Sequence, residues 1–188
     1  MNERTLVLIK PEGVMRNLIG EIITRFEKAG LKIIGLKMIH PDEKLAGNHY
    51  AENELWLKSV GENTKKNYEQ KGKTINKEIL EIGYWVRGKL IKYLTSHPIV
   101  AIVLEGHNAI KHVRKVVGPT EPASSPAGTI RGDYSLDTYQ LADEQERAIN
   151  NIIHASGSVE EAETEIKTWF TENELCKWKR LDEHLLHN

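Results

Sequence analysis

The sequence predicts an α+β sandwich, a small sheet with helices on one face, built as a single domain over residues 1–188. Three observations carry that reading. Short apolar, β-branched runs recur at residues 5–9, 31–39 and 99–104, the signature of buried strands. Between them the apolar residues return every three or four positions, the period of a helix face. And 188 residues that are 39% apolar suffice for one domain with a true core.

The elements follow in order. Residues 5–9 form the first strand, broken by Lys10-Pro11-Glu12-Gly13. Leu18, Ile19, Ile22, Ile23 and Phe26 make a helical stripe over residues 18–29, and Gly30 stands where a helix-ending glycine belongs. Residues 31–39 form the second strand. Pro41-Asp42-Glu43 suits the first turn of a short helix. Residues 51–82 hold six lysines and six glutamates with few apolar residues, so they read as a polar, partly helical insertion. Trp85, Leu90, Ile91 and Leu94 anchor a helix over residues 84–94, and Pro98 ends it. Residues 99–104 are the third strand. Ile110, Val113, Val116 and Val117 point one face of a helix over residues 108–117 inward. Residues 120–132 are rich in Pro, Ser, Ala and Gly and form a long loop. Residues 135–150 are a second polar insertion. Residues 151–154 make a short late strand. Ser158 caps a helix over residues 159–170, with Glu161 three positions on to complete a capping box. A charged extension begins near residue 171, with Trp178 and Leu181 as docking points.

Composition excludes several classes. The charges nearly cancel, 26 basic against 27 acidic with a net of −1, which argues against a large nucleic-acid footprint. No apolar stretch approaches the ~18–20 residues of a membrane span. The N-terminus runs directly into a strand pattern, with no signal peptide. Cys176 is the single cysteine, so neither an intrachain disulfide nor a cysteine metal cluster exists. A reducing cytoplasm is the expected compartment.

Several motifs dissolve on inspection. Gly72-Lys73-Thr74 imitates the end of a phosphate-binding loop, but Asn67 stands where its first glycine is needed. Arg131-Gly132-Asp133 reads as a conformational turn. His40, His97, His107 and His112 sit at element ends without ligand partners at useful spacing, and His184 and His187 lie in the polar tail. His154 differs. It ends an apolar segment just before a helix N-terminus, and Ala155-Ser156-Gly157-Ser158 leaves room for an anion to approach. Imidazole is a good nucleophile near neutral pH and can carry a phosphoryl group. A satisfied core histidine is the plainer reading of composition, and the residues alone leave the two open. Glu165, three turns along the helix, can orient a ring nitrogen. Lys10 closes a strand, Arg114 lies on a helix and Arg131 on the Gly-rich loop, while Thr120 and Asn151 add neutral donors. A triphosphate needs several such donors converging on its oxygens.

The segments Arg4-Thr5-Leu6-Val7-Leu8-Ile9-Lys10-Pro11-Glu12-Gly13-Val14, Gly128-Thr129-Ile130-Arg131-Gly132-Asp133-Tyr134 and Asn151-Ile152-Ile153-His154-Ala155-Ser156 together resemble the nucleoside diphosphate kinase family, in the family's order and over most of the chain. The resemblance implies a ferredoxin-like fold with an antiparallel sheet. It implies ping-pong transfer of a γ-phosphate from a nucleoside triphosphate to a nucleoside diphosphate through a phosphohistidine, with Mg2+. It also implies a homo-oligomer, hexamer or tetramer. His154 matches the phosphorylated residue. Lys10, Arg114, Thr120, Arg131 and Asn151 match the nucleotide and phosphate contacts. Tyr50, after His49, matches a tyrosine near the catalytic histidine, and Ser156 and Glu165 match the residues that orient it. The sequence departs from the family at the base-clamping aromatic, whose neighbourhood reads Tyr84-Trp85-Val86, and at Gly157, where the family carries an acid. A non-catalytic binding module on the same scaffold is the alternative. It predicts a basic, aromatic-rich face, and this chain has only two Phe and scattered aromatics.

Overall fold

The computed structural model describes residues 2–182, which fall into two compact units: Met1–His40 with His97–Asn188, and Pro41–Ser96. His184 and His187 lie outside the described residues.

The first unit is built on a four-stranded antiparallel sheet in the order β2-β3-β1-β4, formed by β1 (Asn2–Ile9), β2 (Lys32–Ile39), β3 (Ile99–His107) and β4 (Ile153–Ala155). Central β1 and β3 read as apolar runs because both of their faces are buried. Val7 and Ile9, with Val100, Ile102 and Leu104 of β3, face the helices α2 (Ile19–Lys28) and α6 (Ala109–Val117). Phe26, Ile22 and Val113 fill that core and are fully buried. The predicted stripe on α2 holds, and Gly30 takes the left-handed φ of +84° that ends the helix.

Helices do not lie on one face alone, as the sequence suggested. Helix α9 (Val159–Trp169) packs against β1 from the opposite side, where Leu6 and Leu8 point. Phe170 covers Gly35 there, 3.1 Å from where a Cβ would stand, on the face shared with Val103 through the β2 bulge at Ile33/Gly35. An amphipathic helix declares that one side is buried, but not which side of the sheet buries it.

Other boundaries shift for local reasons. The break after β1 is itself a short helix, α1 (Pro11–Met15), with Pro11 preset for the first turn. The loop over residues 120–132 holds a 3-10 turn at Pro122–Ser124 and enters α7 (Ile130–Tyr134), and the polar stretch after it contains α8 (Tyr139–Glu144). Past α9 the extension lies along edge strand β2. Cys176 N–H donates to the Ile34 carbonyl at 2.7 Å and the Trp178 indole to the Ile33 carbonyl at 3.0 Å. Trp178 therefore docks as expected, whereas Leu181 is 98% exposed and does not.

The second unit contains α3 (Glu43–His49), α4 (Glu54–Gln70) and α5 (Ile79–Leu94). Helix α5 starts five residues earlier than its apolar anchors suggested, because Glu78 and Glu81 close a capping box. Helices α4 and α5 cross at glycines. A Cβ on Gly61 would sit 2.1 Å from the Ile79 carbonyl oxygen, and one on Gly83 2.3 Å from that of Leu57, so only glycine permits this approach. Arg87 of α5 donates to the carbonyls of Tyr50 (2.6 Å) and Gly47 (3.2 Å), fixing the C-terminal end of α3.

Candidate active site

In β4, residues 153–155 pair with Ile9, Leu8 and Val7 of β1. Directly paired residues share a face, so His154 stands beside Leu8 on the α9 side of the sheet. Lys10 continues β1 in an extended conformation, which returns its side chain to that same side.

The strand is entered through a tight turn that the sequence did not reveal. Ile152 has φ of +64°, and Ile153 N–H donates to the Asn151 carbonyl at 2.6 Å across it. This is a γ-turn centred on a β-branched residue, a strained conformation that costs on the order of 1–3 kcal/mol. Its neighbours hold it there. Lys10 N–H donates to the Ile152 carbonyl at 2.7 Å. Arg131 on α7 donates from Nε to Asn151 O (3.3 Å), from one terminal nitrogen to Ile153 O (2.6 Å), and from the other to Gly118 O (2.9 Å) and Pro119 O (3.0 Å). The guanidinium read as a phosphate contact thus braces backbone on both sides of the turn.

Around this frame the other side chains converge. Lys10 Nζ donates to Asn151 Oδ1 at 2.8 Å, and Asn151 Nδ2 donates to the Thr120 carbonyl at 2.9 Å. His154 Nε2 lies 2.7 Å from Glu165 Oε1. The Ser156 hydroxyl donates to Glu165 Oε2 at 2.6 Å and accepts from Leu6 N–H at 3.2 Å. One carboxylate on α9 therefore holds both the ring and the serine two residues beyond it. Arg114 on α6 reaches the Ala155 carbonyl at 3.4 Å, next to the ring. Tyr50 belongs to the second unit, where it stacks on Trp56 with ring centroids 6.3 Å apart.

Burial and charge set the protonation states. Burial first, then the charge of Lys10, push His154 well below its usual value; Glu161 opposes this, and Arg131 and Arg114 add to it. The ring is neutral at pH 7. Burial, with help from Arg131, lowers Lys10 to about 7. Burial and Arg114 lower Arg131 to about 10. A neutral imidazole surrounded by three cationic side chains can hold a multiply charged anion and attack it.

Sequence reasoning missed the γ-turn and the bracing by Arg131. It also misplaced Glu161. Ser158 Oγ accepts from Glu161 N–H at 3.2 Å, as a cap should, but the Glu161 carboxylate accepts from Gly157 N–H at 2.6 Å instead of closing the box on Ser158. Glycine before a capping serine is the available signal, since it leaves space for a carboxylate to fold back.

The family model described as Nucleoside diphosphate kinase matches residues 3–58 and 83–175. The chain belongs to the nucleoside diphosphate kinase family. It is an enzyme of that family, a nucleotide-binding phosphotransferase. The unmatched residues 59–82 fall inside the first polar insertion. A nucleoside diphosphate kinase of Pyrobaculum aerophilum is 48% identical over 180 residues, covering 93% of this chain and 98% of the relative. One from Archaeoglobus fulgidus is 38% identical over 185 residues, covering 98% and 97%. Among solved structures, the NDP kinase from Pyrobaculum aerophilum superposes with a TM-score of 0.92 at 45% identity, covering 94% of this chain and all of that one. A transition-state mimic of the Borrelia burgdorferi enzyme with bound vanadate and ADP superposes with a TM-score of 0.83 at 35% identity, covering 99% and 97%. These neighbours share the ferredoxin-like α+β fold expected from the resemblance.

Proposed function

We propose that the enzyme moves the γ-phosphate of a nucleoside triphosphate, typically ATP, to a nucleoside diphosphate through a phosphohistidine at His154. One observation carries this reading: a neutral imidazole whose Nε2 is committed to Glu165, set among Lys10, Arg114 and Arg131. With Nε2 2.7 Å from a Glu165 oxygen, we assign the ring proton to Nε2 and the attacking lone pair to Nδ1. In the first half-reaction Nδ1 bonds to the γ-phosphorus, the bond to the β–γ bridging oxygen breaks, and its electron pair leaves on the diphosphate. Positive charge gathered on the ring is shared through Nε2 with Glu165. In the second half-reaction a terminal oxygen of an incoming diphosphate attacks phosphorus and returns the electron pair to Nδ1.

Lys10 and Arg114 neutralise charge on the transferring group, and Arg131 adds positive potential from behind the turn it braces. Asn151 and Thr120 match the family's nucleotide and phosphate contacts, Ser156 fixes Glu165, and for Tyr50 the role near the catalytic histidine is what the family resemblance alone implies. The ADP and vanadate of the Borrelia burgdorferi structure, and the CDP of the Halobacterium salinarum relative, support a nucleotide ligand. They also suit tolerance of the base, since the chemistry occurs at phosphorus.

Magnesium fits this site as a passenger on the nucleotide. The residues around the ring are cationic, Glu165 is engaged by His154 and Ser156, and Glu161 by Gly157. Such a donor set offers the metal no protein cage, and Mg2+ is commonly held mainly by phosphates and waters. When bound it supplies charge neutralisation on the phosphates. The proposal includes one functional domain over residues 1–188, a homo-oligomer (hexamer or tetramer) and a cytoplasmic location. Exposed Leu36 and Met38 on edge strand β2 support assembly. No helix among the described residues is long and apolar enough to cross a membrane.

The test is covalent labelling. Incubation with [γ-32P]ATP and removal of nucleotide should leave an acid-labile, alkali-stable label on the protein, and none on His154→Ala. Label retained by that variant would refute the assignment.

A further inference from the structure

At Gly157, one of the two places where the sequence departs from the family pattern, the space of the missing side chain is taken by another residue. An ideal Cβ on Gly157 would stand 2.8 Å from Glu161 Oε2 and 3.8 Å from a terminal nitrogen of Arg114. The Glu161 carboxylate has folded back one turn of α9, taken the Gly157 N–H at 2.6 Å, and entered the space that any side chain at 157 would claim. The absent side chain and the folded carboxylate are one feature. That carboxylate lies against Gly157, which lines a pocket of about 430 Å³ together with Glu3, Lys111, Arg114, Asn108 and Ser158.

We propose that Glu161 is a positioning residue of the phosphoryl-transfer site, placing by way of Gly157 a carboxylate that acts on His154 and on the approach past Arg114. The inference rests on the phosphohistidine reading above. Physically the carboxylate has two opposed effects. It stabilises positive charge as His154 attacks, and among the charges that act on the ring it opposes Lys10, Arg131 and Arg114. It also repels the phosphates of the arriving nucleotide. A mere helix cap has neither effect.

Glu161→Gln keeps an oxygen to accept from Gly157 N–H and removes the charge. The expected result is a kcat for phosphoenzyme formation lower by roughly threefold, with KM for ATP falling in parallel rather than rising, and an unchanged Tm; the modest size reflects an exposed carboxylate. Gly157→Ala, whose Cβ displaces the carboxylate, should reproduce both changes, and the double variant should show no more than either single one. Gly157→Asp combined with Glu161→Ser, which returns a carboxylate from position 157, should restore kcat. Unchanged kcat and KM in Glu161→Gln, or effects of Gly157→Ala and Glu161→Gln that add, would overturn the proposal and leave Glu161 a helix cap. The parental enzyme is labelled with [γ-32P]ATP in parallel. A parent that takes up label shows that such a failure belongs to Glu161 alone, and a parent that takes up none overturns both readings.

Discussion

Ser156→Ala tests whether the clasp between β4 and α9 is an energetic feature of the fold. The hydroxyl is fully buried. It donates to a carboxylate oxygen at 2.6 Å and accepts a backbone N–H at 3.2 Å. A hydrogen bond to a charged group contributes about 1.5–3 kcal/mol, and a buried N–H left without its acceptor costs about 1 kcal/mol or more. The substitution leaves both Glu165 Oε2 and Leu6 N–H short of that partner, so the loss is about 3 kcal/mol. For a chain of this size each kcal/mol moves Tm by about 2–4 °C, which gives a fall of about 6–12 °C. Thermal unfolding followed by circular dichroism at matched protein concentration reads it directly. The same variant frees Glu165 to swing, so kcat should fall while KM stays near the parental value. A double-mutant cycle with Glu165→Gln should return a coupling of about 1 kcal/mol or more. A Tm within about 1 °C of the parent, a loss of at most about 0.5 kcal/mol on this scale, would refute the reasoning.

Arg131→Lys replaces a fork serving four carbonyls with one ammonium, and should cost about 3 kcal/mol in urea unfolding together with most of the activity; a variant as stable as the parent would show that the γ-turn needs no brace. Gly83→Ala drives a methyl into the Leu57 carbonyl, 2.3 Å from its Cβ, and should lower the helical signal of the second unit or its Tm, a result checked by circular dichroism and contradicted by parental melting. Lys10 releases its proton at about 7 when folded against an ordinary 10.5, so between those values the unfolded chain binds more protons and stability rises with pH. Urea midpoints from pH 7 to 10 should climb in the parent and flatten in Lys10→Met, and equal slopes would count against a buried ammonium.

Much of this was legible in the sequence because the signals are local. The burial of β1 and β3 appears as continuous apolar runs, the inward face of α2 as a stripe ending at Gly30, and the start of α9 as Ser158. What stayed hidden is set by partners distant along the chain. Nothing in Asn151-Ile152-Ile153 announces a γ-turn, since β-branched residues argue for extended backbone and the turn is held by Arg131 and Lys10 from elsewhere. Arg131 was legible as a cation of the site because its charge is visible, but not as a brace, because its carbonyl acceptors are backbone groups from elsewhere in the chain. Gly61 falls in a stretch that reads as a polar insertion and Gly83 draws no reading, although each admits a backbone carbonyl from the facing helix. The face of the sheet taken by α9 is a matter of topology, which periodicity does not encode.

On the proposed phosphohistidine mechanism, the arrangement resolves a conflict built into nucleophilic attack on a phosphate. Cations must be close enough to hold the anion, and the nucleophile beside them must not be protonated. Burial and those same cations suppress protonation of His154, so the groups proposed to gather the substrate would also keep the ring in the form the proposed attack needs. The difficulty passes to Lys10, whose charge is costly in the buried site and, on the same proposal, would be restored by phosphate oxygens beside it. Strain at Ile152 fits the same logic. A ring carried by β4 and braced from three separate stretches of chain does not reorganise as charge moves through it, and a fixed array of charges stabilises a transition state without reorientation.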